Sequence, residues 1–426
     1  MVEYRRRFVD DFLDQWLAYL PAVSLEGPKA VGKTETALQR AGAIRRLDER
    51  EQRAIINASP ELVLAGKPPI LIDEWQRVPQ TWDIVRRAVD ENNTPGQFLL
   101  TGSASVTPGN IHSGAGRIDR VRMWPLTLPE RGISEPTVSL RSLLGGKREQ
   151  LTGATNVRLV DYAEQITRSG LPALQSSPLA VAERRVAGYV DRISEREVEV
   201  EGGLRVDVAN VMRWLRAYAA GVATTASYEV LRDAATAGQA VKMAKTTDVR
   251  YRSVLEQLWI VEPLPAWAPN YNYLNRLAKS PKHIMADPAF AAAALGVTAD
   301  SLVEGVEPLV ARPESQHATI FGALFENLAI QHLRVFAQNN DAKVFHARTQ
   351  GGREEIDAIV ERRDGRFVAF EVKLGAVPGG GAFKHLKALR ARAGDAMLDG
   401  VVLTSGSEAY RRDDGFAVVP LALLKP

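Results

Sequence analysis

Residues Gly27-Pro28-Lys29-Ala30-Val31-Gly32-Lys33-Thr34 have the types and spacing of a phosphate cradle, G-x-x-x-x-G-K-T. Glycines let such a loop curl so that backbone N–H groups converge on an anion, and a helix that follows presents its positive end to the same charge. Lys33 would reach the β- and γ-phosphates of ATP, and Thr34 would coordinate Mg²⁺ through its hydroxyl. The pattern alone occurs by chance. Here it follows an apolar strand expected at Ala22–Glu26 and opens a helix expected over Gly32–Ala41, which is the context the chemistry needs.

A second segment completes the site. Pro69-Ile70-Leu71-Ile72-Asp73-Glu74 reads as an apolar strand ending in two carboxylates. Asp73 would join the Mg²⁺ shell, and Glu74 would polarise the attacking water. The strand of residues 97–102 ends in small polar residues, so that Thr101 or Ser103 could bond the γ-phosphate or the water; a plain turn is the other reading. Arg117 follows Ser113-Gly114-Ala115-Gly116. A loop of that kind suits an arginine finger or nucleotide sensor, and equally a surface arginine. Arg5, Arg6 and Arg7 read as a solvated helix face, though one of them could approach nucleotide.

The elements around these segments alternate. Strand signals at residues 22–26, 43–47, 69–73 and 97–102 are separated by helical stretches, including Trp82–Val89. This predicts a mostly parallel sheet with helices on both faces. Residues 1–20 read as an amphipathic helix. The Gly-, Ser- and Pro-rich stretch 133–151 reads as a linker or domain boundary. Helical patterning resumes from Val157 to about Val200, broken at Ser169-Gly170-Leu171-Pro172. A second helical block covers 207–262 and runs into a short strand, which suits a winged-helix module contacting DNA or plain helical packing. Residues 263–315 are irregular, then Ala-rich.

The chain has 426 residues, 45% of them hydrophobic and 25% charged, an ordinary globular balance for two to four domains. It has no cysteine, which excludes disulfides, zinc ribbons and cysteine nucleophiles and suits a reducing cytoplasm. The formal charge of +3 permits nucleic-acid contact without arguing for it. No apolar run approaches a membrane span, and the start of the chain has no secretory apolar core. The six histidines show no metal-ligand spacing, and His346 reads as a core or edge residue.

Together these segments resemble prokaryotic single-chain AAA-type ATPases that carry a C-terminal domain of unknown function. The likeness rests on Tyr4 to Arg7, the loop 27–34, Ile72 to Gln76, Leu100 to Ser103, Gly116-Arg117 and Trp124-Pro125-Leu126. It departs from the usual loop at Lys29 and Ala30. The resemblance implies an N-terminal P-loop NTPase fold and ATPase activity over residues 1–135. A helical, winged-helix-like middle would cover 152–265. Ring formation through a neighbour's arginine is open, as is action as a single-chain switch.

Residues 316–426 are read as a third domain. A helix from Thr319 to about Phe336 precedes strands at 343–348, 356–360 and 366–373, a basic helix at 382–392, and a strand at 400–403. Glu326 lies on the first helix, Asp357 and Glu371 lie on strands, and alternation puts Glu371 and Lys373 on one face. This arrangement resembles PD-(D/E)xK nucleases, an α/β restriction-endonuclease-like fold. That resemblance implies Asp357 and Glu371 as Mg²⁺ ligands, Glu326 completing the shell, and Lys373 positioning the attacking water. A surface ion-pair patch, or a domain that only binds nucleic acid or a protein partner, would keep the same pattern.

Overall fold

The structure, a computed structural model, describes residues 4–102, 114–197, 207–239, 242–268, 279–304, 316–348 and 354–426. It divides into two compact units, Met1–Pro125 with Leu255–Trp259, and Leu126–Val254 with Ile260–Pro426.

The first unit is built on a five-stranded parallel sheet. Its strands are β1 (Ala22–Glu26), β2 (Ala43–Arg46), β3 (Ile70–Asp73), β4 (Phe98–Gly102) and β5 (Asp119–Arg122), in the order β2-β3-β4-β1-β5. Alternation along each strand sends side chains to two separate cores. Ile70, Ile72, Phe98 and Leu100 pack with Trp75, Trp82, Val85 and Val89 on one face. Val23, Leu25, Leu71, Leu99 and Val121 pack with Leu13, Val31 and Ala37 on the other. Because β4 lies between β1 and β3, its end sits beside both the cradle and the acidic strand tip. The register pairs Thr101 with Leu25 on one side and with Asp73 on the other. The amphipathic helix expected near the start of the chain is Phe8–Trp16, with Val9, Asp10 and Leu13 buried.

The second unit begins with a stretch whose expected linker character is overturned. Within residues 133–151 lie β6 (Val138–Ser139) and a helix at Leu140–Gly145, with Leu140, Leu143 and Leu144 buried. The glycines at its end cap that helix, Gly146 taking the left-handed conformation at φ 74°, so composition mimicked a linker. Helices follow at Leu159–Arg168, Leu179–Arg192, Val208–Ala220 and Tyr228–Ala235. After the helical block, isolated antiparallel bridges join Val261 to Met285 and Leu264 to Lys282. The Ala-rich run forms a largely buried helix, Pro288–Leu295, capped by the Asp287 carboxylate.

The last part of this unit is a long helix, Gln316–Gln338, against a mixed six-stranded sheet. The strands are β7 (Ala342–Arg348), β8 (Glu355–Arg362), β9 (Phe367–Lys373), β10 (Met397–Thr404), β11 (Tyr410–Arg411) and β12 (Ala417–Pro420), in the order β11-β12-β10-β9-β8-β7. β7, β8 and β9 are antiparallel neighbours, while β9, β10 and β12 run parallel, the crossover between β9 and β10 carrying the helix Lys384–Ala393. A short strand β13 (Leu424–Lys425) pairs with β6. The helix-strand-strand-strand-helix-strand order expected from sequence is the order found. Among the described residues no helix is long and apolar enough to cross a membrane.

Candidate functional site

The loop 27–34 turns directly out of β1. Gly27 is required by close approach: an added Cβ would lie 2.4 Å from the Met123 carbonyl oxygen and 2.7 Å from an Arg122 nitrogen. Gly32, at φ 102°, supplies the left-handed turn into the helix Lys33–Leu38. The Lys33 ammonium is buried and donates to the carbonyls of Gly27 and Pro28, each at 2.8 Å, so it spans the mouth of its own loop. Burial pushes Lys33 down to about 8; Glu74 and Asp73 oppose this, while Arg122 and Lys29 add to it.

The acidic strand meets the loop as the spacing requires. Thr34 Oγ1 donates to Asp73 Oδ1 at 2.7 Å, and the buried Thr101 hydroxyl donates to the same oxygen. Glu74 follows in the left-handed region, φ 53°, a conformation uncommon for a residue with a side chain. The Gln76 amide donates to Glu74 Oε2 at 2.6 Å. Thr34 and Asp73 together present hard oxygen donors of the kind Mg²⁺ takes.

Arg117 has its described partners at the surface. Its Nε donates to Asp90 Oδ1 at 2.7 Å and a terminal nitrogen donates to the Ala115 carbonyl. Ser103 lies outside the described residues. Two arginines that sequence reasoning did not assign lie against the cradle instead. Arg7, read as part of a solvated face, is buried: it donates to Val31 O at 3.1 Å and to Trp124 O at 2.9 Å. Its backbone N–H is held by Asp10, which also accepts from Tyr4 and from Arg40, each at 2.7 Å. The Tyr4-to-Arg7 segment was the signal that could have marked it. Arg122, the last residue of β5, donates to the carbonyls of Glu26 and Met123 and stacks over the Trp259 ring at 3.9 Å.

In the second unit, Glu326, Asp357, Glu371 and Lys373 do come together. The Lys373 ammonium lies 2.8 Å from Glu371 Oε2 and 3.5 Å from Asp357 Oδ2, so the expected shared face is real. A residue that sequence reasoning passed over lies among them. The fully buried Lys282 ammonium is 2.6 Å from Glu326 Oε1, 3.1 Å from Glu355 Oε1 and 3.2 Å from Asp357 Oδ1. Nothing in the irregular stretch 263–315 marks one lysine as buried; only the fold supplies its acidic neighbours.

Charge sharing sets the titration of this cluster. Burial and the neighbouring Asp357 push Glu326 up to about 8, against the pull of Lys282. Burial and Asp357 likewise push Glu371 up to about 7. Burial would raise Asp357, but Lys282, Lys373 and the Val372 N–H outweigh it and hold it below the ordinary range. Burial would lower Lys282, but Asp357, Glu326 and Glu355 raise it. Among the described residues no group of three or more His, Asp or Glu side chains is arranged to hold a metal ion. The residues present do not fit a divalent cation at this position, because an ammonium already stands between the carboxylates.

Comparison with known proteins gives three matched segments. Residues 20–131 match an AAA domain. Residues 159–301 match a domain of unknown function (DUF8612), and residues 321–424 match another (DUF4143). An AAA domain joined to a C-terminal domain of unknown function is the pairing the resemblance led one to expect. An uncharacterized protein of Mycobacterium bovis and one of Mycobacterium tuberculosis are each 26% identical to this chain over 364 residues, which is 84% of this chain and 71% of theirs. The match over 20–131, on a parallel sheet with a glycine loop at the end of its β1 strand, supports nucleotide binding by the first unit.

Proposed function

We propose that this chain binds ATP with Mg²⁺ and hydrolyses it, and that the nucleotide state governs a C-terminal domain that recognises a partner rather than cutting nucleic acid. The observation that carries the first half is the Thr34–Asp73 hydrogen bond of 2.7 Å beside the Lys33 loop. Residues from two distant segments meet there in the arrangement triphosphate chemistry uses. Backbone N–H groups of 27–34 would cradle the phosphates, and Lys33 would exchange its carbonyl partners for phosphate oxygens. Thr34 and Asp73 would hold Mg²⁺, which when bound offsets phosphate charge. Glu74, oriented by Gln76, would hold the attacking water and take its proton. Arg117 would have to leave Asp90 to serve the phosphates, so Arg122 is the stronger candidate for stabilising charge near the loop.

Lys33→Ala should abolish ATP binding, and Glu74→Gln should keep binding while stopping turnover. Hydrolysis by Glu74→Gln at the wild-type rate would remove Glu74 from its role.

The second half rests on Lys282. The alternative reading keeps Asp357 and Glu371 as ligands of a nuclease metal and Lys373 beside its water. Incubating the protein with DNA and RNA in Mg²⁺ or Mn²⁺ separates the two: cutting that disappears in Asp357→Ala and Glu371→Ala restores the nuclease. A three-part organisation (1–135, 152–265, 316–426) in a reducing cytoplasm belongs to the same proposal; the family matches also fall in three segments, the middle one running on to residue 301.

A further inference from the structure

The position of the Lys282 ammonium is built rather than accidental. Its backbone is fixed on both sides: Lys282 N–H donates to Leu264 O at 2.9 Å, Leu264 N–H donates back at 2.8 Å, and the next residue, His283, donates to Thr224 O at 2.8 Å. The side chain carries three N–H donors, and three carboxylates lie within ion-pair distance of them, from the helix Gln316–Gln338 and from β8. A lysine with no solvent exposure survives only when its charge is met this way. Asp357, the carboxylate that a two-acid metal site would share, is taken at both oxygens. Oδ1 faces Lys282, while Oδ2 accepts from the Val372 N–H at 2.8 Å and faces Lys373. A magnesium ion needs oxygens at about 2.0–2.1 Å in a near-octahedral shell, and a fixed ammonium among them would repel it.

We propose that Lys282 is a resident surrogate for the divalent cation of the C-terminal fold: it gathers Glu326, Glu355 and Asp357 around its own charge and keeps the cluster closed to Mg²⁺ and Mn²⁺. The inference rests on the nuclease-like reading of residues 316–426 only for the expectation that a metal would otherwise sit there. It adds to the partner-recognition proposal the chemical reason for lost cutting, and it predicts that removing one positive charge restores a metal site.

The test measures Mn²⁺ bound to the nucleotide-free full-length chain by electron paramagnetic resonance, at up to millimolar Mn²⁺. The wild type should hold no Mn²⁺ that Asp357→Asn removes. Lys282→Ala should gain one Mn²⁺ per chain, lost again in Lys282→Ala with Asp357→Asn. Mn²⁺ on the wild type that disappears in Asp357→Asn would overturn the proposal. So would a folded Lys282→Ala that binds no more Mn²⁺ than the wild type. If Lys282→Ala does not fold, Lys282→Met replaces it, keeping most of the buried stem, and the wild-type result decides by itself. ATP affinity measured on the same preparations fails or stands independently, so loss of the nucleotide reading is distinguishable from loss of this one.

Discussion

Arg7 is tied to Val31, its guanidinium donating to the carbonyl of a residue in the middle of the glycine loop while a second nitrogen holds Trp124 O. One buried side chain therefore fixes the loop to the end of the segment that follows β5. Arg7→Ala should weaken ATP binding by about tenfold without removing any group that touches nucleotide. Arg7→Lys should recover little, since a single ammonium lacks the planar fork that reaches both carbonyls. Titration with a fluorescent ATP analogue reads this, with circular dichroism confirming the fold. Unchanged affinity in a folded Arg7→Ala would show the loop to be set without it.

Lys33 gives a pH signature. Its folded value near 8 lies below the ordinary 10.5, so the free protein loses this proton as pH rises through about 8. A base with a depressed folded value opposes folding most at low pH, and this penalty fades between about 8 and 10.5. Phosphate contact favours the charged form. ATP binding near pH 8.5 should therefore take up protons, and affinity should decline above pH 8. Calorimetry in buffers of different ionisation heat measures the uptake; a binding heat independent of buffer would refute it.

Thr101 donates to Asp73, and on the proposed reading it acts through that carboxylate rather than on nucleotide. Thr101→Val keeps the shape and deletes the donor, so Asp73 loses one of the two hydroxyls on Oδ1. Outer partners of metal-binding side chains are worth roughly 10–100-fold. The variant should lose hydrolysis on that scale at saturating ATP, a loss that Thr101→Ser should largely repair.

Replacing Lys282 by methionine leaves Glu326, Glu355 and Asp357 facing one another. Loss of one partner from a buried ionic cluster costs about 3–5 kcal/mol. The deficit should be largest near pH 8 and shrink toward pH 5, where the carboxylates protonate. Urea denaturation at the two pH values checks it; an equal deficit at both would mean that packing, not charge, is lost.

The second unit should be most stable under mildly acidic conditions. His332 is buried, accepts from the Leu128 N–H at 2.8 Å, and is pushed down to about 3; His346 is pushed down to about 4. Unfolding lets both charge at their ordinary 6.5, so their contribution is lost as pH falls from about 6.5. Glu326 and Glu371 act oppositely. Their raised values mean the folded state keeps protons that the unfolded chain releases near 4.5, so their contribution is lost as pH rises toward 7 and 8. The four groups nearly cancel between about 4.5 and 6.5 and destabilise on either side. A thermal midpoint that climbs steadily from pH 6.5 to 8 would contradict this.

The proposed nucleotide site was legible because its parts are local. A turn that needs glycine, a lysine and a threonine must be contiguous, and an acidic pair must end an apolar strand, so residues 27–34 and 69–74 announce themselves. The C-terminal order of elements was legible for a similar reason: alternation and length separate strands such as β8 and β9 from helices. What escaped depends on distant partners. Arg7 looks like any basic residue in a run of three until Val31 and Trp124 are brought to it. Lys282 stands in a stretch with no period, and its meaning comes from carboxylates more than forty positions away. The stretch 133–151 misled because glycine and serine serve helix capping as readily as they serve a tether.

The short pairing of β6 with β13 sets an order of events during synthesis. Val138 and Ser139 lie beside Leu424 and Lys425, and the Ser139 hydroxyl donates to the Pro426 carbonyl at 2.8 Å. Translation yields residues 22–122 long before that pairing can form. The parallel sheet can therefore fold while the larger unit still lacks one of its own strands.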